Sequence, residues 1–292
     1  MAEVSKVLFI GCGDIAQRAF KLMVDRFYCC GLRRNPHKLQ SSIKVITADA
    51  SDAQQLLKVA SQGFDIWVAT LTPSEFTRKA YKESYLAVAQ SILETVDALP
   101  HSPKLIIWVS STSVYGDNNG QWVDETTKPN PVTFSGEILL QAEKIIQNLP
   151  CSSTVVRFSG IYGPGRARLL NQVQEGKGRP KTPEQWSNRI HADDCGGVLA
   201  HLIDLFTSDR SIEPVYLASD SEPVTQHDIR KWIAGCLSID LIEEPVAIGP
   251  ARRCSNRLLL ESGFNFKYPS FKEGYAALIE DQKKNESTKQ PQ

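Results

Sequence analysis

The sequence predicts an α/β protein built on a doubly wound parallel sheet, with a smaller α/β lobe towards the C-terminus. Two observations carry this. Short apolar runs alternate with amphipathic helical segments up to about residue 160, and the first apolar run ends in a glycine turn that opens a helix.

Val7-Leu8-Phe9-Ile10 suits a buried parallel strand and leads directly into Gly11-Cys12-Gly13-Asp14-Ile15-Ala16. Ala16, Ala19, Phe20, Met23 and Val24 then fall on one helical face. Strand, G-x-G-x-x-A turn and helix form a dinucleotide-binding unit. Gly11 permits the tight turn, Gly13 lets the backbone approach a pyrophosphate, and Ala16 lets the helix pack closely on the strand. The N–H groups of the first helical turn, around Asp14 and Ile15, face the phosphate charge. Such a glycine turn can also serve purely as a turn; its place at the end of the first strand favours the binding role.

The second strand, Phe27 to Leu32, ends at Arg33-Arg34. An acid about 20 residues after the turn would accept from the ribose 2′-hydroxyl of NAD. Arg33 stands 22 residues after Gly11 and offers a donor fork suited to a 2′-phosphate, so NADP is expected in preference to NAD. The alternative is a pair of solvated arginines at a strand end. After the strand Lys44 to Ala48, Asp49-Ala50 would flank the adenine, or Asp49 would cap the next helix. The alternation continues with strands at 64–70, 104–110 and 153–159 and helices at 75–97 and 135–147. Thr70, closing the strand at 64–70, joins the expected cofactor site.

The chain has 292 residues, with 33 basic and 33 acidic side chains, which gives no reason to expect a nucleic-acid or membrane partner. Residues 1–160 are read as the dinucleotide-binding domain, 161–280 as the smaller lobe, interleaving allowed, and 281–292 as a polar, disordered tail. Seven cysteines without C-x-x-C spacing indicate neither disulfides nor a metal site and fit a reducing cytoplasm. The short lead into the first strand leaves no room for a signal peptide.

Three further segments carry a resemblance. Ser110-Ser111-Thr112-Ser113-Val114-Tyr115-Gly116 is similar to the S-S-x-x-V-Y-G strand end of the extended short-chain dehydrogenase/reductases, the NAD-dependent epimerase/dehydratase family. Arg157 to Arg166 resembles that family's R-x-x-G-I-Y-G-P-G-R run, and Asn188 to Asp194 its I-H-V-D-D helix start. Arg253 to Arg257, Glu261 to Phe264, Tyr268-Pro269 and the G-x-G-x-x-A turn resemble the atypical YeeZ-like subgroup. The resemblance implies that Ser110, Gly160 and Ile161 face the cofactor and that Ser111 polarises a substrate group. It implies substrate contacts at Thr112, Ser113 and Arg166, a nucleotide-linked small-molecule substrate, and a homodimer formed through the helices at 75–97 and 135–147.

The family's proton transfer needs a Tyr-x-x-x-Lys pair, whose i, i+4 spacing puts both side chains on one helical face. In the Y-G-x-S-K-L-x-A-E alignment those positions are Ser135 and Leu139. Tyr268-Pro269-Ser270-Phe271-Lys272 has the spacing but lies beyond the dinucleotide-binding part and contains a proline. The family's upstream asparagine is replaced by Tyr85 or a neighbour. Tyr162 and His191 are the candidate replacement donors. Each has a structural alternative: Tyr162 packs on the nicotinamide, His191 bonds a loop beside a helix-capping Asp193, and Ser135 caps its own helix. Two functions stay open: an NADP-dependent epimerase, dehydratase or oxidoreductase with a non-standard site, and a catalytically silent NADP(H) sensor.

Overall fold

The structure, a computed structural model, describes residues 4–35, 43–244, 249 and 251–287. The chain runs β1 (Lys6–Ile10), α1 (Asp14–Met23), β2 (Tyr28–Arg33), β3 (Val45–Thr47), α2 (Ala53–Ala60) and β4 (Ile66–Ala69). Next come α3 (Arg78–Tyr81), a π-helical segment (Lys82–Leu86), α4 (Ala87–Ala98), β5 (Leu105–Ser111), β6 (Trp122–Val123), α5 (Phe134–Gln147) and β7 (Ser153–Phe158). The remainder is β8 (Gly160–Tyr162), α6 (Arg168–Gln174), β9 (Lys177–Gly178), β10 (Trp186–Ser187), β11 (Arg189–His191), α7 (Ala192–Thr207) and β12 (Val215–Ala218). It closes with β13 (Val224–Thr225), α8 (Gln226–Leu237), β14 (Ile242–Glu243), β15 (Arg253–Cys254), α9 (Arg257–Glu261) and α10 (Phe271–Ser287).

Seven strands form the main sheet in the order β12-β7-β5-β4-β1-β2-β3. The doubly wound parallel sheet is as the sequence predicts: β1 pairs in parallel with β2 and β4, so the order reverses direction beside β1, where such sheets take their ligands. Val7 to Ile10 are fully buried because helices cover both faces of a parallel sheet. Trp67 and Trp108 anchor the core from β4 and β5 with Leu8, Ile10, Leu56 and Ile92. Helix starts are fixed by side chains: Asp52 accepts from the N–H groups of Gln54 and Gln55, Thr77 from that of Ala80, and Thr133 from that of Gly136.

Two compact units interleave along the chain: Met1–Tyr115, Pro129–Arg157 and Cys195–Tyr216 in the first, Gly116–Lys128, Phe158–Asp194 and Leu217–Gln292 in the second. Within the second unit, β15 pairs with β6 and β11 with β8, non-local pairings that a strand-by-strand reading of the sequence does not show. The helix expected at 75–97 contains a π-helical turn, and α10 continues through Ser287, into the stretch expected to be a disordered tail. Residues 288–292 of that stretch lie outside the described residues. Among the described residues, no helix is long and apolar enough to cross a membrane, and no group of His, Cys, Asp and Glu is placed to hold a metal ion.

Candidate functional site

A cavity of 510 Å³ opens at the C-terminal ends of β1, β2 and β4. Gly11, Gly13, Arg33, Arg34, Asp49, Ala50 and Thr70 line it, so seven residues assigned from sequence to the cofactor meet there. Gly11 sits at φ +80, and a Cβ there would come within 2.9 Å of the Thr70 carbonyl oxygen. Thr70 Oγ1 donates to the Gly11 carbonyl at 2.7 Å, tying the turn to the end of β4. Gly13 differs: a Cβ there would meet no protein atom nearer than the Gly11 carbonyl oxygen, at 3.8 Å. Gly11 is thus needed by the backbone, whereas a side chain at Gly13 would take up cavity space. Helix α1 starts with no side-chain cap, leaving its first N–H groups for an anion, with Asp14 paired to Arg18 at 3.0 Å and Ile15 buried beneath.

Arg33 Nη1 donates to the Cys12 carbonyl at 3.4 Å, which holds the guanidinium beside the glycine turn. Arg34 lies 3.9 Å from Asp49. Asp49 does not cap α2, since Asp52 does; its carboxylate instead accepts from the Ser51 N–H at 3.0 Å. The π-helical turn brings Glu83 and Ser84 to the cavity wall, two residues absent from the sequence assignment. Open glycine, uncapped helix start and the residues at the ends of β2 and β4 fit a nicotinamide dinucleotide.

Ser110 has another partner. Its Oγ donates to Glu143 Oε1 at 2.5 Å, and Arg157 closes on both oxygens of the same carboxylate, with Nη2 2.6 Å from Oε2. Arg157 Nη1 also donates to Tyr115 Oη at 2.8 Å. All four side chains are buried, and the Glu143 carboxylate holds the Arg157 guanidinium charged against the cost of burial. Ser111 Oγ accepts from the Ser113 N–H at 3.2 Å and so caps a short 3₁₀ turn over Thr112–Val114. Thr112 is buried there, and the Ser113 carbonyl faces Gly136, where a Cβ would come within 2.3 Å of it.

At the start of α5, Ser135 and Leu139 are 6% and 3% exposed, and neither lines the cavity. Ser135 Oγ lies 3.0 Å from Thr133 Oγ1, and Thr133 is the cap, so Ser135 is inside the helix and not at its cap.

In the second unit, Tyr162 is buried, stacked on Tyr275 with ring centres 4.6 Å apart and edge-on to His191 at 5.3 Å. Among the described residues its hydroxyl has no hydrogen-bond partner, and Gly274 makes room for it, since a Cβ there would overlap the oxygen. Burial and the nearby Asp220 push the Tyr162 pKa up, so the phenol stays protonated. His191 is 2% exposed, and its Nδ1 accepts from the Asp193 N–H at 3.2 Å. Asp194 accepts from the N–H groups of Lys267 and Tyr268, and burial raises its pKa to about 6. Asp220, not singled out from sequence, is pushed up to about 8 by burial. Gly160, Ile161 and Arg166 line a second cavity, of 590 Å³, together with Trp186.

With this geometry in hand, the comparisons with known proteins are specific. The family model described as "RmlD substrate binding domain" matches residues 40–282. The chain is 40% identical to Protein YeeZ of Escherichia coli (strain K12) over 122 residues, which are 41% of this chain and 42% of that one. The match thus spans less than half the length of this curated relative. A solved structure of a candidate NAD-dependent epimerase/dehydratase from Methylobacillus flagellatus is 32% identical, with a TM-score of 0.83 over 96% of this chain and 100% of that one. MoeE5 in complex with UDP-glucose and NAD superposes with a TM-score of 0.78 at 20% identity, over 96% and 99% of the two chains, a likeness of fold. Sheet order, glycine turn and these matches together place the chain in the RmlD substrate-binding-domain family, as an atypical member of the extended short-chain dehydrogenase/reductases.

Proposed function

We propose that the protein binds NADP(H) in the cavity after β1 and an anionic, nucleotide-linked small molecule in its second unit, without the family's tyrosine–lysine proton transfer. The observation that carries this reading is the start of α5. Where the relay would stand, Ser135 and Leu139 are packed inside, and a leucine can neither hold ribose hydroxyls nor perturb a proton donor. A bound nicotinamide would supply hydride transfer; the chain's own contribution is to bind and orient it. Arg33 and Arg34 at the end of β2 support NADP over NAD, and Gly11, Gly13, Thr70 and the open start of α1 support the pyrophosphate site. The UDP-glucose and NAD held by MoeE5 on the same fold support the class of second ligand.

Separate titrations of the purified chain with NADPH and NADH test this. NADPH is expected to bind at least tenfold more tightly, and Arg33→Glu to remove that preference, since one Arg–phosphate contact is worth roughly 1.5–3 kcal/mol. Equal loss of both cofactors in Arg33→Glu would remove the 2′-phosphate role.

A turnover reading is favoured by one observation. The second unit holds a buried tyrosine hydroxyl with no partner and, at Asp220, a carboxyl that keeps its proton near neutral pH. Substrate-dependent change in nicotinamide absorbance, abolished by Tyr162→Phe, would establish it.

A further inference from the structure

The 590 Å³ cavity of the second unit is lined by five arginines, Arg166, Arg168, Arg179, Arg189 and Arg230, and its described lining contains no Asp or Glu. Arg168 opens α6, Arg179 follows β9, Arg189 opens β11 and Arg230 lies inside α8. Arg189 and Arg230 are 5% and 3% exposed. Buried guanidinium groups ordinarily sit against a carboxylate, because an uncompensated charge away from water is costly. These two have neutral partners. Arg230 donates from Nη1 to the Lys177 carbonyl at 2.9 Å and from Nη2 to Gln172 Oε1 at 2.7 Å, and Arg189 donates from Nη2 to Ser187 Oγ. Arg189 also lies against Tyr275, a neutral neighbour, and among the described residues Arg230 Nε and Arg189 Nη1 have no hydrogen-bond acceptor.

The surroundings add little negative charge. Asp220, the carboxyl that acts on Arg189, is pushed up to about 8 by burial and is mostly protonated at neutral pH. Arg230 is drawn down to about 10, first by burial and then by the positive charges of Arg179, Arg189 and Arg168. The fold thus holds together cations that repel one another and leaves two buried donors unanswered. Buried donors of this kind call for an acceptor from outside the chain.

We infer that this cavity seats a polyanion, a small molecule with a terminal phosphate and at least three clustered negative charges. That is more charge than the diphosphate bridge of an ordinary nucleotide sugar carries. A terminal phosphate offers three unbridged oxygens, and a guanidinium fork can reach two of them through parallel N–H bonds. This assignment rests on the proposed second ligand and narrows its class; it is independent of the cofactor held in the first unit.

The test is calorimetric titration of the full chain at low ionic strength with inorganic tripolyphosphate, orthophosphate and UDP-glucose. Tripolyphosphate is expected to bind at least tenfold more tightly than either of the others. The double variant Arg168→Gln/Arg179→Gln, which leaves the two buried arginines in place, should weaken tripolyphosphate at least tenfold and leave thermal stability and NADPH affinity unchanged. Arg230→Lys, which keeps the charge and loses the fork, should weaken it as well. UDP-glucose binding as tightly as tripolyphosphate, or tripolyphosphate binding that the double variant does not alter, would overturn the inference. Arg33→Glu separates the two readings: lost NADPH binding with unchanged tripolyphosphate binding is expected. Failure of the wild type to bind NADPH would sink the cofactor reading and leave this one standing.

Discussion

The turn after β1 and the first turns of α5 both descend from family motifs, and they have met opposite fates. At the turn, the residues that shape the backbone and those that would touch a ligand are all present: Gly11 at φ +80, Gly13 open to the cavity, and Arg33 anchored to the Cys12 carbonyl. In α5 the two kinds have separated. Gly136 persists where a Cβ would strike the Ser113 carbonyl oxygen at 2.3 Å, Ala142 is fully buried in the core, and Glu143 holds Ser110 and Arg157. The two positions that carry only chemistry have become Ser135 and Leu139. Residues that bear packing stay because the fold fails without them, whereas a relay residue can change while the helix around it stands.

The sharpest way to break this comparison is at Glu143. Glu143→Ala leaves Arg157 as a buried, unpaired charge and should lower unfolding free energy by about 3–5 kcal/mol, read by chemical denaturation. A loss below about 1 kcal/mol would show that α5 was not kept for packing. Next come the two glycines. Gly13→Val is expected to lower NADPH affinity about a hundredfold or more, roughly 2.7 kcal/mol, with an unchanged melting temperature. Gly11→Val should instead cost roughly 1–3 kcal/mol of stability, from its left-handed backbone and the close Thr70 oxygen. If both variants merely unfold, the turn is structural throughout.

A smaller effect concerns Asp220 and Asp194, whose folded pKa values stand at about 8 and about 6, above the ordinary carboxylate value. Between the unfolded and folded values the native state binds more protons than the unfolded chain, so stability falls as pH rises. The window runs from about pH 4 to 6 for both groups and on to pH 8 for Asp220 alone. Thermal unfolding of Asp220→Asn should lose the decline between pH 6 and 8. A wild-type curve that rises across that range would contradict the buried, protonated carboxyl.

Much of the sheet was legible because parallel strands buried on both faces are continuous apolar runs, as in Val7 to Ile10 and Ile66 to Ala69. The cradle was legible because its parts are close in sequence: the turn, the end of β2 and the end of β4. The π-helical turn was not, since one extra residue per turn leaves the apolar spacing of the surrounding helix nearly intact; with it went Glu83 and Ser84. Interleaving was allowed for, but the bounds of the units were hidden because pairings such as Arg253 with Trp122 join distant segments that share no local signal. Of the five cavity arginines, Arg166 and Arg189 fall in segments that carry the resemblance and only Arg166 was assigned a role; the others open α6, follow β9 and lie inside α8, and charge alone does not mark a residue as buried. Ser111 matched a motif by type, yet its oxygen is engaged in capping the turn that follows.

The interleaving of the two units bears on how the chain is made. A ribosome that has delivered residues up to about 160 has supplied the glycine turn and six strands of the main sheet, but not Cys195–Tyr216, the last stretch of the first unit, which carries most of α7. Synthesis runs from the N-terminus and nascent domains generally fold as units. Here the first unit stays incomplete until two segments of the second have emerged, so its core is finished only once Tyr216 has been made. No single cut in the gene would release a self-contained cofactor-binding half.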